Sequence, residues 1–174
     1  MRPVFFVTGI GTDVGKTLVS AILAEAIQAD YWKPIQAGFE KGTDSGQLME
    51  WLSDASDRIY PELYKLQLPA SPHISAREEG IQISLKKIKE EYDQLIIASN
   101  KQLIIECAGG LMVPLNDSET ILDLIQMLGA GVVLVIRNYL GSINHSLLTA
   151  RGLRQSGIKV HGWVFNDQFM HYED

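Results

Sequence analysis

The sequence predicts an α/β fold, a single parallel β-sheet covered by helices on both faces. Three observations predict it. Apolar, strand-like runs alternate along the chain with segments of helical periodicity, the order that builds a parallel sheet. The run Val132-Val133-Leu134-Val135-Ile136 is continuously apolar, as expected of a strand covered on both faces. The first such run, Val4-Phe5-Phe6-Val7, leads directly into a glycine-rich loop that opens a helix, a strand–loop–helix unit suited to anions.

The elements follow in order. Residues 4–7 form the first strand, and residues 16–28 the first helix, which contains no Gly or Pro. Residues 31–35 form a short second strand, and residues 44–52 read as helical. Residues 53–82 contain Pro, are polar, and predict a long irregular excursion. Leu85, Ile88, Tyr92, Leu95 and Ile96 recur at helical spacing, with Lys86, Lys87, Lys89, Glu90 and Glu91 on the other face. Residues 103–105 predict a strand, and Ile121, Leu122, Leu124, Ile125 and Leu128 a helix. Residues 132–136 form the next strand, residues 143–155 a helix, and residues 159–165 the last strand. No repeat, low-complexity segment or linker divides the chain, so residues 1–174 predict one domain.

Composition narrows the functional classes. The net charge of −6 argues against a nucleic-acid surface, and the longest basic run is Lys86-Lys87. The single cysteine, Cys107, excludes an internal disulfide and fits a reducing compartment, so a cytoplasmic protein is expected. The first apolar run is too short for a secretory signal, and no stretch approaches a membrane span.

The loop Gly9-Ile10-Gly11-Thr12-Asp13-Val14-Gly15-Lys16-Thr17 carries the most chemistry. Glycines let backbone N–H groups turn toward an anion, and the helix that starts near Gly15 adds the positive end of its dipole. Lys16 can place a charge on β/γ-phosphate oxygens, and the Thr17 hydroxyl can hold Mg²⁺. The strict G-x-x-x-x-G-K-[ST] pattern requires glycine at position 10, where this chain has Ile10. The loop is therefore a variant, and its context separates it from a glycine turn that binds nothing. With it, the predicted architecture is P-loop NTPase-like.

Ligands of such sheets bind beyond the carboxyl ends of the strands. That rule selects Lys33 and residues 36–44, the run Glu106-Cys107-Ala108-Gly109-Gly110, residues 137–144, and Asn166. Mg²⁺ needs only a few hard oxygens, and Thr17, Asp44 and Glu106 are the obvious set. Glu106 closes an apolar strand, where a carboxylate is costly without a partner. A solvated strand-end charge is the plainer alternative for Glu106, and a helix cap or first-turn acid for Asp44. Lys33 precedes Pro34, so its backbone is extended at a strand end. It could neutralise charge in phosphoryl transfer or be an ordinary exposed lysine. Cys107 reads as a small buried residue, His73 and His145 as hydrogen-bonding side chains, and His161 and His171 carry no signal.

These segments together resemble the dethiobiotin synthetase family, ATP-dependent enzymes of biotin biosynthesis. The resemblance includes Phe6-Val7-Thr8-Gly9 through Val14-Gly15-Lys16-Thr17 and Trp32-Lys33-Pro34-Ile35-Gln36-Ala37-Gly38. It extends over Thr43-Asp44-Ser45, Ser71-Pro72-His73 and Ile105-Glu106-Cys107-Ala108-Gly109-Gly110. It continues through Leu140-Gly141-Ser142-Ile143-Asn144-His145, Leu148-Thr149-Ala150 and Gly162-Trp163-Val164-Phe165-Asn166-Asp167. The elements run in family order over nearly the whole chain.

The resemblance implies a reaction in which 7,8-diaminononanoate and CO₂ form a carbamate. ATP phosphorylates the carbamate, and the second amine closes the ureido ring, giving ADP and phosphate. It implies that Thr12, Lys16 and Lys33 hold the carbamate and γ-phosphate. ATP would be bound by Gly11, Thr12, Asp13, Val14, Gly15, Lys16 and Thr17, with Asn166 on adenine. Thr17, Asp44 and Glu106 would hold Mg²⁺. Lys33, Gly109, Gly110, Gly141, Ser142, Ile143 and Asn144 would meet substrate, the last four through a helix N-terminus that receives its carboxylate across a homodimer interface.

Cys107 stands where the family has glycine, and Ala37 where some members have serine. Family members usually continue for several tens of residues past the Asn-Asp pair, so the resemblance implies a chain shortened at its C-terminal end. Tyr172 matches a substrate-side tyrosine at a different spacing. A partition- or septum-type regulatory ATPase is the nearest rival, but it carries an early loop lysine where this chain has Gly11. The rival from another class is a nucleotide-binding module without turnover. The small-GTPase motifs are absent.

Overall fold

The computed structural model describes residues 3–167. The first part of the chain runs β1 (Val4–Gly9), α1 (Lys16–Ala26), β2 (Asp30–Trp32), β3 (Ile35–Ala37) and α2 (Asp44–Trp51). A 3-10 turn (Ala55–Asp57), β4 (Ile59–Tyr60), β5 (Tyr64–Leu66), α3 (Pro72–Glu78) and α4 (Leu85–Ala98) follow. The last part is β6 (Leu103–Gly110), α5 (Ile121–Leu128), β7 (Gly131–Arg137), α6 (Ser142–Gln155) and β8 (Val160–Asn166). The main sheet of the described residues has six strands in the order β4-β2-β6-β1-β7-β8, and each neighbouring pair is parallel. The predicted parallel α/β architecture is therefore observed. Among the described residues no helix is long and apolar enough to cross a membrane.

Strand alternation sends neighbouring side chains to opposite faces. Phe6, Leu103, Ile105 and Leu134 join one core cluster with Ile88 of α4, Leu124 of α5 and Leu153 of α6. Val7, Ile104, Val133 and Val135 join the other with Val19, Ala21 and Ala24 of α1. β1 lies between β6 and β7, so the loop that leaves its carboxyl end is flanked by the ends of both. The bounds of α5 match the sequence reading because both ends are marked locally. Thr120 and Asp123 form a capping box, and Gly129 follows in the left-handed region.

Two expectations are corrected. Residues 31–35 are not one strand. Proline has no N–H to continue a ladder, so β2 ends before Lys33-Pro34 and the chain leaves the main sheet. It resumes as β3, which pairs in parallel with β5 in a separate two-stranded sheet. Residues 53–82 are not an irregular excursion either, for they contain the 3-10 turn, β4, β5 and α3. Strands of two and three residues carry no readable period, and their pairing partners are distant. The buried Arg58 ties this segment to α1. Its guanidinium donates to Ser53 O at 2.8 Å, Ala29 O at 3.1 Å, Ala24 O and the Glu25 carboxylate. β6 also runs on through Gly110, well past the apolar residues that predicted it.

Candidate active site

The phosphate loop is held from outside by two strand tips. Arg137, ending β7, donates to Asp13 O at 3.0 Å, and Asn166, ending β8, donates to Val14 O at 3.1 Å. Asp13 and Gly15 both have positive φ, 56° and 97°. At Gly15 a side chain is also excluded by space, since a Cβ there would lie 2.7 Å from Asn166 Nδ2. No side chain caps α1 at Gly15, which leaves its first N–H groups suited to an anion. Lys16 is buried and curls back to donate from Nζ to Gly11 O at 2.8 Å. Ile10 explains the departure from the strict loop pattern. Its N–H bonds to Val135 O at 3.1 Å and its side chain packs on the core, so no glycine is needed there.

Opposite the loop, acids and bases from distant elements meet. Thr17 Oγ1 lies 2.7 Å from Asp44 Oδ1 and 2.9 Å from Glu106 Oε1. Lys33 Nζ donates to Asp44 Oδ2 and, at 3.3 Å, to Glu106 Oε1. Tyr31 donates its hydroxyl to Glu106 Oε2 at 3.0 Å. Lys33 is 5 % exposed and Glu106 1 %, so neither is a solvated surface charge. Asp44 is not the cap of α2. Thr43 is, accepting from Gly46 N at 2.9 Å, and this frees the first-turn carboxylate for the site. Gln36 fixes that turn by accepting from Asp44 N at 3.3 Å while donating to Gly38 O at 2.8 Å.

Burial works against the Lys33 ammonium, but Glu106 and Asp44 outweigh it and hold the group above its ordinary value. Burial likewise opposes the Asp44 charge, and Lys33 outweighs it, so the carboxyl lies below its ordinary value. Burial, with the Glu106 charge, pushes the Tyr31 phenol well above its usual range. Burial pushes the Cys107 thiol up, and Sγ sits 3.2 Å from Thr8 Oγ1 and 3.0 Å from Gly109 O. That environment suits an inert buried thiol, as the sequence predicts.

A single hydroxyl proton cannot serve two carboxylates. The cluster of Thr17, Asp44 and Glu106 oxygens is therefore a hard-oxygen set suited to a cation. Among the described residues no group of three or more His, Cys, Asp or Glu could hold a metal. Two carboxylates and a hydroxyl fit Mg²⁺, which keeps several waters and takes substrate oxygens for the rest of its shell.

A cavity of about 850 Å³ joins these parts. Of the residues singled out from the sequence, it is lined by Thr12, Asp13, Gly15, Lys16, Thr17, Lys33, Asp44, Glu106 and Gly109. That volume suits a small-molecule site. Gly109 has φ 82° and lies against Val113 and Thr12, an approach that a side chain would obstruct. Gly11, Val14 and Gly110 belong to the loop and its backing and do not line the cavity. Nor do Asn166, Gly141, Ser142, Ile143 and Asn144. Those last four open α6, beside exposed Leu140, Leu147 and Leu148. His73 and His145 make hydrogen bonds, to Ser71 Oγ at 3.0 Å and Tyr139 OH at 2.6 Å. Tyr172 and His171 lie outside the described residues.

Sequence reasoning missed Tyr31, Gln36 as an anchor of α2, and Trp51 on the cavity wall. Tyr31 had a readable signal: it is two residues from Lys33 in extended chain, hence on the same side. Gln36 and Trp51 had none.

Comparison with known proteins gives a consistent result. A family model described as an AAA domain matches residues 4–171. The chain is 52 % identical over 162 residues to the ATP-dependent dethiobiotin synthetase BioD of Cytophaga hutchinsonii, covering 93 % of this chain and 76 % of that protein. It is 48 % identical to the protein of that name from Christiangramia forsetii, with 93 % and 75 % covered. The Rhodopseudomonas palustris protein of that name is 45 % identical, with 95 % and 76 % covered. Among solved structures, the kinase domain of Escherichia coli tyrosine kinase ETK aligns with a TM-score of 0.52 at 16 % identity, covering 99 % of this chain and 71 % of that chain. That likeness concerns the fold alone.

Proposed function

The chain belongs to the dethiobiotin synthetase family, and from that premise and the site geometry we infer its chemistry. It carries out the ATP-dependent carboxylation and ring closure of 7,8-diaminononanoate to dethiobiotin, with ADP and phosphate as the other products. The observation that carries the assignment is the convergence of Lys16, Thr17, Lys33, Asp44 and Glu106 on one cavity beside a phosphate loop. The partition-type alternative is not favoured, given relatives of this identity over most of the chain.

One amine of the substrate adds to CO₂, loses a proton and becomes a carbamate. A carbamate oxygen attacks the γ-phosphorus, and ADP leaves. The second amine attacks the carbonyl carbon of the mixed anhydride, phosphate departs, and the ureido ring closes. No protein nucleophile is needed, so the protein's work is positioning and charge stabilisation. Residues Gly11 to Thr17 cradle the triphosphate through backbone N–H groups and Lys16. Thr12, Lys16 and Lys33 meet the carbamate and γ-phosphate oxygens, where negative charge builds up. Thr17, Asp44 and Glu106 would hold Mg²⁺, which neutralises phosphate charge when bound.

Asn166 is assigned to the adenine end of the nucleotide and Gly109 and Gly110 to the substrate, Gly109 from the cavity wall and Gly110 from behind it. Gly141, Ser142, Ile143 and Asn144 receive the substrate carboxylate from across a homodimer. The exposed apolar side chains of α6 (Ile143, Leu147 and Leu148) and of Leu140 in the turn before it support such an interface, since contiguous exposed apolar surface marks contact sites. The reaction belongs in the cytoplasm, in keeping with the lone buried thiol.

The test uses the protein with ATP, MgCl₂, labelled bicarbonate and 7,8-diaminononanoate. Labelled dethiobiotin should form in step with ADP. ADP release that does not depend on the diamine, with no labelled product, would overturn the assignment.

A further inference from the structure

We propose that Tyr31 is a positioning residue for this reaction: its hydroxyl fixes the Glu106 carboxylate so that one chosen oxygen faces the site. The proposal rests on Glu106 being a Mg²⁺ ligand. Tyr31 and Glu106 are 0 % and 1 % exposed, so water does not compete for their contact. The two oxygens of Glu106 have separate partners. Oε2 accepts from the Tyr31 hydroxyl at 3.0 Å, while Oε1 faces Thr17 Oγ1 at 2.9 Å and Lys33 Nζ at 3.3 Å.

The last torsion of a glutamate is broad and nearly two-fold, so a carboxylate held at one end only can turn. A charge-assisted hydrogen bond from a rigid phenol removes that freedom. The sheet supplies the rigidity. β2 and β6 are neighbours in register, with Tyr31 opposite Ile104 and Trp32 opposite Ile105, so donor and acceptor stand on adjacent ladders. The tyrosine ring also fills the core around Ala24, Leu48 and Val7, which a phenylalanine would do equally well. Only the hydroxyl does the positioning.

The test measures Mn²⁺ binding in the presence of ADP by electron paramagnetic resonance, alongside steady-state kinetics at varied Mg²⁺. Partners that orient a metal ligand typically account for about 10–100-fold in affinity. Tyr31→Phe should therefore weaken Mn²⁺ binding about tenfold and raise the KM for Mg²⁺ by a similar factor. kcat at saturating Mg²⁺ should stay within about twofold of wild type, because the ligand remains present.

Glu106→Ala should weaken Mn²⁺ binding at least as much, and adding Tyr31→Phe to it should change nothing further, since Tyr31 acts through Glu106. A folded Tyr31→Phe protein with wild-type Mn²⁺ affinity, beside a weakened Glu106→Ala, overturns the role of Tyr31 and leaves Glu106 as a ligand. Wild-type affinity in Glu106→Ala overturns the ligand reading and the proposal with it. If Tyr31→Phe does not fold on its own, the Glu106→Ala pair decides. Equal affinities with and without Tyr31→Phe support the proposal, and a further loss overturns it.

Discussion

Thr17 and Asp44 open two different helices, and their side-chain oxygens meet at 2.7 Å. Thr17 stands in the first turn of α1 and Asp44 in the first turn of α2. Two helix N-termini therefore aim their positive ends at one point, where the negative groups of substrates and the Asp44 carboxylate can both be accommodated. The proposed phosphate and cation sites thus share one place in the fold.

Lys16→Ala should abolish turnover while the fold persists. Among the described residues the Lys16 ammonium bonds to the neutral Gly11 O and to no carboxylate, so little native structure depends on its charge. Losing a cation aimed at charge developing in the transition state costs about 3 kcal/mol or more, over a hundredfold in rate. Circular dichroism should match wild type, and an ADP-release rate within tenfold of wild type would remove Lys16 from this role.

Lys33→Met should lose both catalysis and stability. The ammonium compensates two acids, one of them almost fully buried, and breaking such a pair from one side costs about 3–5 kcal/mol. ATP affinity by calorimetry should fall less than the single-turnover rate, because charge on the transferred group builds up only during transfer. Equal losses would make Lys33 a ground-state nucleotide contact. Thermal unfolding should show the lost stability, and Mg²⁺ should restore part of it by neutralising Asp44 and Glu106.

Asp44→Asn should raise the Mg²⁺ concentration needed for half-maximal activity, since a hard anionic oxygen is lost. An unchanged Mg²⁺ curve would show that Asp44 serves only the helix. The same variant has a defined pH signature. The folded carboxyl of Asp44 lies below its ordinary 3.8, so its contribution is fully present above that pH. It disappears as pH falls through the lower folded value. The stability gap between wild type and Asp44→Asn should thus be widest above about pH 4 and close under stronger acid. A gap that widened in acid would have the wrong sign for a carboxylate held charged by Lys33.

Cys107 should resist alkylation in the folded protein and react readily once unfolded. The thiol is 1 % exposed and burial raises it above 9.0, so little thiolate forms near neutrality. Iodoacetamide labelling at pH 8, with and without urea, followed by mass spectrometry, measures this. Rapid labelling of the native protein would mean that the end of β6 opens.

The sequence by itself determined the α/β class, the phosphate loop, the helix at Ile121 to Leu128, and most of the residue types that the cavity needs. All of these are local signals: a period of two or 3.6, or a proline. Lys33, Asp44 and Glu106 were legible because strand ends in such sheets face the ligand. Only the tertiary structure decided which atoms meet. The order β4-β2-β6-β1-β7-β8 brings Tyr31 beside Glu106 and Thr17 beside Asp44, and no local pattern encodes that order. The short strands of residues 59–66 and the buried Arg58 stayed hidden for the same reason. Each is stabilised by partners far along the chain, since two or three residues cannot form a strand on their own.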